Sequence, residues 1–345
     1  MSNKFNLVLA VLLVTSLLLA ACQPATPTEA PKVKICQVTD TGGIDDRSFN
    51  ATAWKGVEDA VKELGVEGKY LESQQQTDYE KNLNAFLEEK CDLIITVGFL
   101  LGDATKASAE ANPDQKYAIV DYSYDPEISN VLGLTFQTDE AAFLAGYAAA
   151  GATKTGKVGT FGGLQIPTVT IFMDGFAMGV QYYNEKNGTS VEVLGWDATA
   201  QTGLFTGNFE STDDGRTMGE TLMDEGADIV MPVAGPVGLG TAAAVKERGN
   251  AYLIGVDYDW TISAPEYADI ILTSVEKKMD LAVFNSSKAV VDGNFAGGTY
   301  VGTLENGGVA LADFGALASV VPDQVKTDLE TIKADIIAGT IKTSP

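Results

Sequence analysis

The sequence predicts an α/β protein of two lobes, each a doubly wound and mostly parallel sheet, facing each other across a cleft and joined by a hinge. Three observations carry this. From Val33 onward, short apolar runs alternate with segments whose apolar residues fall at helical spacing, the pattern of parallel sheets covered on both faces. The halves echo each other: "KICQVTDTGG" and "KVGTFGGLQIP" each run from a strand into a Gly-Gly turn, then an aromatic and a helix with a glycine near its start. A chain of 345 residues also suits two lobes better than one core.

The chain opens on what reads as a secretory leader, residues 1–21. Lys4 precedes the apolar run from Leu7 to Ala21, which is short for a membrane span. Its end, "LAAC", resembles the lipobox of bacterial lipoproteins, which implies lipidation of Cys22 as the mature N-terminus. Residues 22–32 are rich in Pro and Thr and suit a flexible tether. The expectation is a protein held on the extracytoplasmic side of the cell membrane through Cys22.

Strands are expected at 33–39, 69–73, 92–98, 116–122 and 131–136, then at 156–161, 191–196, 228–233, 252–257 and 270–275. The first helix follows from Trp54, Val57, Val61 and Leu64, with Asp45 or Asp46 suited to its N-terminus. The segment from Thr77 to Glu80 fits a capping box ahead of Leu83, Phe86 and Leu87. Cys36 and Cys91 belong to strands of one sheet. An exported protein could bridge them, but we read them as two buried thiols, because sequence spacing does not supply a disulfide's geometry.

Composition removes several functions. A net charge of −24 argues against binding nucleic acid through broad electrostatics. The absence of histidine excludes histidine-based catalysis and metal sites. Neither a Gly-x-Ser-x-Gly elbow nor a phosphate-binding Gly-x-x-x-x-Gly-Lys loop is present. Chemistry by carboxylates alone stays formally open, yet no acid/base pair stands out. A binder, not an enzyme, is expected, without cofactor or metal.

Doubly wound sheets bind ligands beyond the carboxyl ends of their strands. Asp40, Asp121 and Asp257 each end an expected strand and would accept hydrogen bonds from hydroxyl or ring N–H groups. Phe49 offers a flat apolar face, though core packing explains it equally well. Asn50 offers an amide, and Lys277 a cation that offsets the acids. The turn from Thr39 to Gly56 has the shape that holds phosphate at a helix start, but its acids would repel one. An uncharged, flat, polyhydroxylated ligand fits: a sugar or, better, a nucleoside.

"TGGIDDRSFNATAWKGVEDA" resembles the signature of the basic membrane protein family of bacterial substrate-binding lipoproteins, which includes purine nucleoside receptors. The likeness continues through "GNFESTDDGR", "VAGPVGLGTAAAVKERG", "GVDYDW" and "LTSVEKKMDLAVF", essentially the whole mature chain. It implies a type I periplasmic-binding-protein fold whose lobes, 33–139 with 278–305 and 140–277 with 306–345, are joined by three crossovers. It also implies the capture component of an ABC importer, a monomer that binds nucleosides and hands them to a permease driven by its ATPase. By matching motifs, Phe49 would stack on the base and Asp40 and Asp121 would bind its edge, while Gly235, Asp257 and Lys277 would hold the ribose. Phe209 is the candidate second aromatic, with Phe161 and Phe172 behind it. Pro236 lacks an N–H beside Gly235. A receptor for a sugar, or a ligand-sensing component, is the alternative.

Overall fold

The computed structural model describes residues 32–345, and the expected leader, Cys22 and nearly all of the tether lie outside them. The chain from Val33 to Pro345 forms one compact unit. It begins with β1 (Lys34–Val38), α1 (Phe49–Leu64), β2 (Glu67–Leu71), α2 (Asp78–Glu88), β3 (Leu93–Val97), α3 (Gly102–Ala111), β4 (Lys116–Val120) and β5 (Val131–Phe136). After α4 (Thr138–Ala152) come β6 (Lys157–Gly162), α5 (Pro167–Asn187), β7 (Glu192–Leu194), β8 (Trp196–Asp197), β9 (Thr202–Gly203) and α6 (Thr212–Asp224). Then follow β10 (Ile229–Val233), α7 (Gly238–Arg248), β11 (Tyr252–Asp257), the short α8 (Trp260–Ser263) and β12 (Ile271–Lys277). The chain closes with α9 (Met279–Val291), β13 (Gly298–Gly302), β14 (Val309–Leu311) and α10 (Asp323–Ile337).

Two six-stranded sheets result, ordered β13-β5-β4-β3-β1-β2 and β14-β12-β11-β10-β6-β7. All neighbours pair parallel except β14, which runs antiparallel to β12. Their central strands are apolar and buried on both faces: every residue of β3 and of β10 is buried, as a sheet covered by helices on both sides requires. All ten expected strands are present. The sequence reading omits the β8–β9 hairpin and the edge strands β13 and β14. These are short, and β13 lies in "GGTYVG", where glycines at both ends dilute the apolar signal.

The chain passes between the sheets three times: after β5, after β12, and between β13 and β14. These crossings are stitched together. Gln137 N donates to Gly302 O at 2.8 Å, and Lys278 N donates to Gly308 O at 2.9 Å. The Glu140 carboxylate accepts the Leu304 N–H at 2.6 Å.

The sequence echo has a packing cause. Gly56 in α1 and Gly175 in α5 each bring their helix against the first turn of the helix arriving from a crossing. A Cβ on Gly56 would lie 2.4 Å from Asp280 O in α9, and one on Gly175 would lie 2.3 Å from Asp139 O in α4. Backbone meets backbone at both places.

Cys36 and Cys91 form a disulfide, which corrects the reading as free thiols. β1 pairs with β3, and Cys91 stands just ahead of β3, so their Cα atoms come within 6.1 Å. Both cysteines lie in the core under α2, with Tyr79, Leu83 and Phe86.

Candidate functional site

The carboxyl ends of the two sheets face each other across a cleft of about 610 Å³, its open mouth included. All eight residues singled out as ligand contacts line it. Asp40, Phe49, Asn50 and Asp121 come from the first sheet's side; Phe209, Gly235, Asp257 and Lys277 come from the second. Phe172 lines it too, from α5. Phe161, the other reserve aromatic, does not. It is on β6 with its side chain fully buried in the second lobe's core, beside Leu222 and Val230. Alternation along the strand sends it into the core and away from the strand's end.

The turn between β1 and α1 resolves its own contradiction. Asp46 is buried, and its carboxylate accepts the backbone N–H groups of Ser48 at 3.0 Å, Asn50 at 2.7 Å and Ala51 at 3.0 Å. Those amides open α1 and are the groups that would otherwise hold a phosphate. The protein fills that place with its own carboxyl group. Burial pushes the Asp46 carboxyl up to about 7, against the opposing pull of those hydrogen bonds.

Asn50 links the acids. Its Nδ2 donates to Asp40 Oδ1 at 2.7 Å and to Asp46 Oδ2 at 3.2 Å, which fixes the amide's orientation. Asp40 also accepts the Gly42 N–H at 3.0 Å. Burial raises its carboxyl to about 6, with Glu210 and Asp121 adding repulsion.

Deeper in the cleft, Lys277 at the end of β12 is buried and donates to Asp121 Oδ2 at 2.5 Å. Its ammonium lies 4.9 Å from the ring centre of Phe49, 5.5 Å from that of Phe136 and 5.8 Å from that of Phe172. Three aromatic faces and one carboxylate thus compensate a cation removed from water. Asp257 accepts from Ser48 Oγ at 2.9 Å. Burial raises both Asp121 and Asp257, and the nearby Lys277 pulls each back down.

Apolar walls complete the cleft. Half-buried Phe49 packs against the main core and also lines the cleft. Phe209 follows the β9 turn and lies against Gly163, where a Cβ would stand 2.3 Å from Phe209 Cε1. The second Gly-Gly pair is therefore room for an aromatic ring. Phe99 lines the cleft as well, in the strand-end stretch Gly98-Phe99 after β3, a place the sequence marks but to which sequence reasoning gave no ligand role. Sequence reasoning also passed over Phe136 and Ser48, whose partners arrive from the other sheet and leave no local pattern. Among the described residues no group of three or more Cys, Asp or Glu is placed to hold a metal, and no helix is long and apolar enough to cross a membrane.

Residues 33–344 match the model of the family described as ABC transporter substrate-binding protein PnrA-like. The chain is 32% identical to the ABC transporter nucleoside-binding protein BmpA of Lactococcus lactis, with 99% of each chain covered. It is 33% identical to basic membrane protein A of Borreliella burgdorferi over 86% of this chain and 84% of that one. Among solved structures, an ABC transporter solute-binding protein from Aeropyrum pernix superposes with a TM-score of 0.81 at 30% identity, covering 90% of this chain and 92% of that one. The two-lobed fold is thus that of the type I periplasmic binding proteins.

Proposed function

We propose, from the premise that this chain belongs to the PnrA-like family of ABC transporter substrate-binding proteins, that it captures a purine nucleoside between its lobes and delivers it to a permease. One observation carries the choice of an uncharged ligand: the Asp46 carboxylate already occupies the amides at the start of α1. A phosphorylated ligand would find that position taken and meet Asp40, Asp121 and Asp257 as well. A nucleoside meets no such penalty. Its base stacks on Phe49, opposite Phe209, worth about 1–3 kcal/mol per base. Asp40, Asn50 and Asp121 bind the base edge, and Gly235, Asp257 and Lys277 take the ribose.

The closing lobes are residues 33–139 with 278–305 and 140–277 with 306–345. Closure buries the ligand and completes the surface that the permease reads. A monomer suffices for this, and no bond is made or broken. Cys22 carries the lipid that holds the protein at the outer face of the membrane.

Native mass spectrometry of the purified protein, followed by calorimetric titration of stripped protein with adenosine, guanosine and ribose, tests the reading. A co-purifying nucleoside mass with micromolar or tighter rebinding is expected. Binding of ribose alone would move the ligand to sugars, and free base accumulating from inosine would make the protein a hydrolase.

A further inference from the structure

We infer that Ser48 is a positioning residue for Asp257, engaged only when the lobes meet, so that closure and readiness of the Asp257 carboxylate for ligand are one event. The inference rests on the reading of Asp257 as a ligand contact.

Ser48 stands at the N-terminal boundary of α1 in the first lobe, where a serine side chain ordinarily caps the helix. Here it makes no cap bond, because Asp46 holds the helix amides instead. The freed hydroxyl crosses to the second lobe and donates to Asp257 Oδ2 at 2.9 Å, with a longer contact to Val256 O at 3.3 Å. Ser48 is 1% exposed and Asp257 6%, so water does not compete for this bond in the closed form. Asp257 itself sits at φ +70°, a strained position for a residue with a side chain.

The arrangement is reciprocal. Asp121 of the first lobe, also at φ +70°, is held by Lys277 from the second. Each lobe therefore presents an acid whose donor belongs to the other. The charged groups facing Asp257 are Lys277 and Asp121. Ser48 adds a neutral donor that leaves the second oxygen, Oδ1, for a ligand hydroxyl. When the lobes part, Asp257 loses this donor and returns to water. The adjacent Arg47–Glu266 pair also spans the lobes at 2.5 Å but is about half exposed, so it adds little.

Small-angle scattering of ligand-free protein, and adenosine titration across a pH series, should be run on the wild type, Ser48→Ala and Ser48→Thr. Ser48→Ala should shift ligand-free protein toward the open form. It should weaken adenosine binding roughly ten- to a hundredfold and start the acid-side loss of binding at a higher pH, because a bond favouring ionised Asp257 is gone. Ser48→Thr keeps the hydroxyl and should restore all three. Wild-type scattering and affinity in Ser48→Ala would overturn the inference. So would weaker binding with unchanged scattering and pH profile, which would make Ser48 a fold residue only. A wild type that binds no nucleoside would remove the ligand reading, while the scattering comparison would still decide the role of Ser48 in closure.

Discussion

Asp121 and Asp257 occupy corresponding places in the two lobes: each follows or ends the third strand of its sheet, and each has φ +70°. Asp121 alone forms an ion pair, with a lysine from the other side of the cleft. Removing one member of a buried pair strands the other charge, at a cost of about 3–5 kcal/mol. Because Lys277 can regain water if the lobes part, that cost falls on the closed form. Asp121→Ala should enlarge the radius of gyration and weaken ligand binding more than it lowers the unfolding midpoint. Adding Lys277→Met should recover part of the closure, as scattering and calorimetry on the single and double variants would reveal.

Phe49 gives the sharpest test of the stacking wall. Phe49→Ala should weaken nucleoside binding by about 1–3 kcal/mol, and Phe49→Tyr should bind nearly as the wild type does. Titration calorimetry with adenosine separates these outcomes. Equal affinity in the alanine variant would return Phe49 to the core alone.

The protonation of the β1–α1 turn sets a pH dependence of stability. Burial raises Asp40 to about 6 and Asp46 to about 7, both above the 3.8 of an unfolded chain. The folded chain therefore binds these protons more tightly, and stability falls as pH rises from about 4 to about 7. Asp40 contributes on the order of 2–3 kcal/mol to that fall. Melting temperatures measured across this range should decline, and Asp40→Asn should flatten the curve. A wild-type midpoint that climbs steadily through the window would contradict the assignment.

The disulfide closes a loop spanning a sequence separation of 55. Replacing Cys36 and Cys91 together by serine should cost about 4 kcal/mol through the entropy returned to the unfolded chain. A denaturant series comparing the double variant with oxidised wild type would measure it. Nucleoside affinity should survive, because both cysteines lie in the core under α2 and neither lines the cleft.

Much of this was legible in the chain before folding, for identifiable reasons. Strands such as β3 and β10 are buried on both faces and so are written as near-continuous apolar runs, while β13 and β14 are short edges whose partners are remote in sequence. The strand-end acids announce themselves because the fold topology places the carboxyl ends of the central parallel strands at the cleft. Ser48, Phe136 and the Cys36–Cys91 bridge were not legible. Their meaning depends on a partner 209, 141 or 55 residues away whose distance only packing decides. Phe161 misled because it stands near the carboxyl end of β6, where an aromatic suits a cleft, while the pleat turns its ring into the core.

The stitched crossings have a mechanical consequence. Three short segments lie side by side, tied by the Gln137–Gly302 and Lys278–Gly308 bonds, and the helices leaving two of them are locked backbone to backbone at Gly56 and Gly175. A ribbon of that kind resists twist and sideways slip but flexes about a line across its width. Such a ribbon would confine movement of the lobes to one bending coordinate.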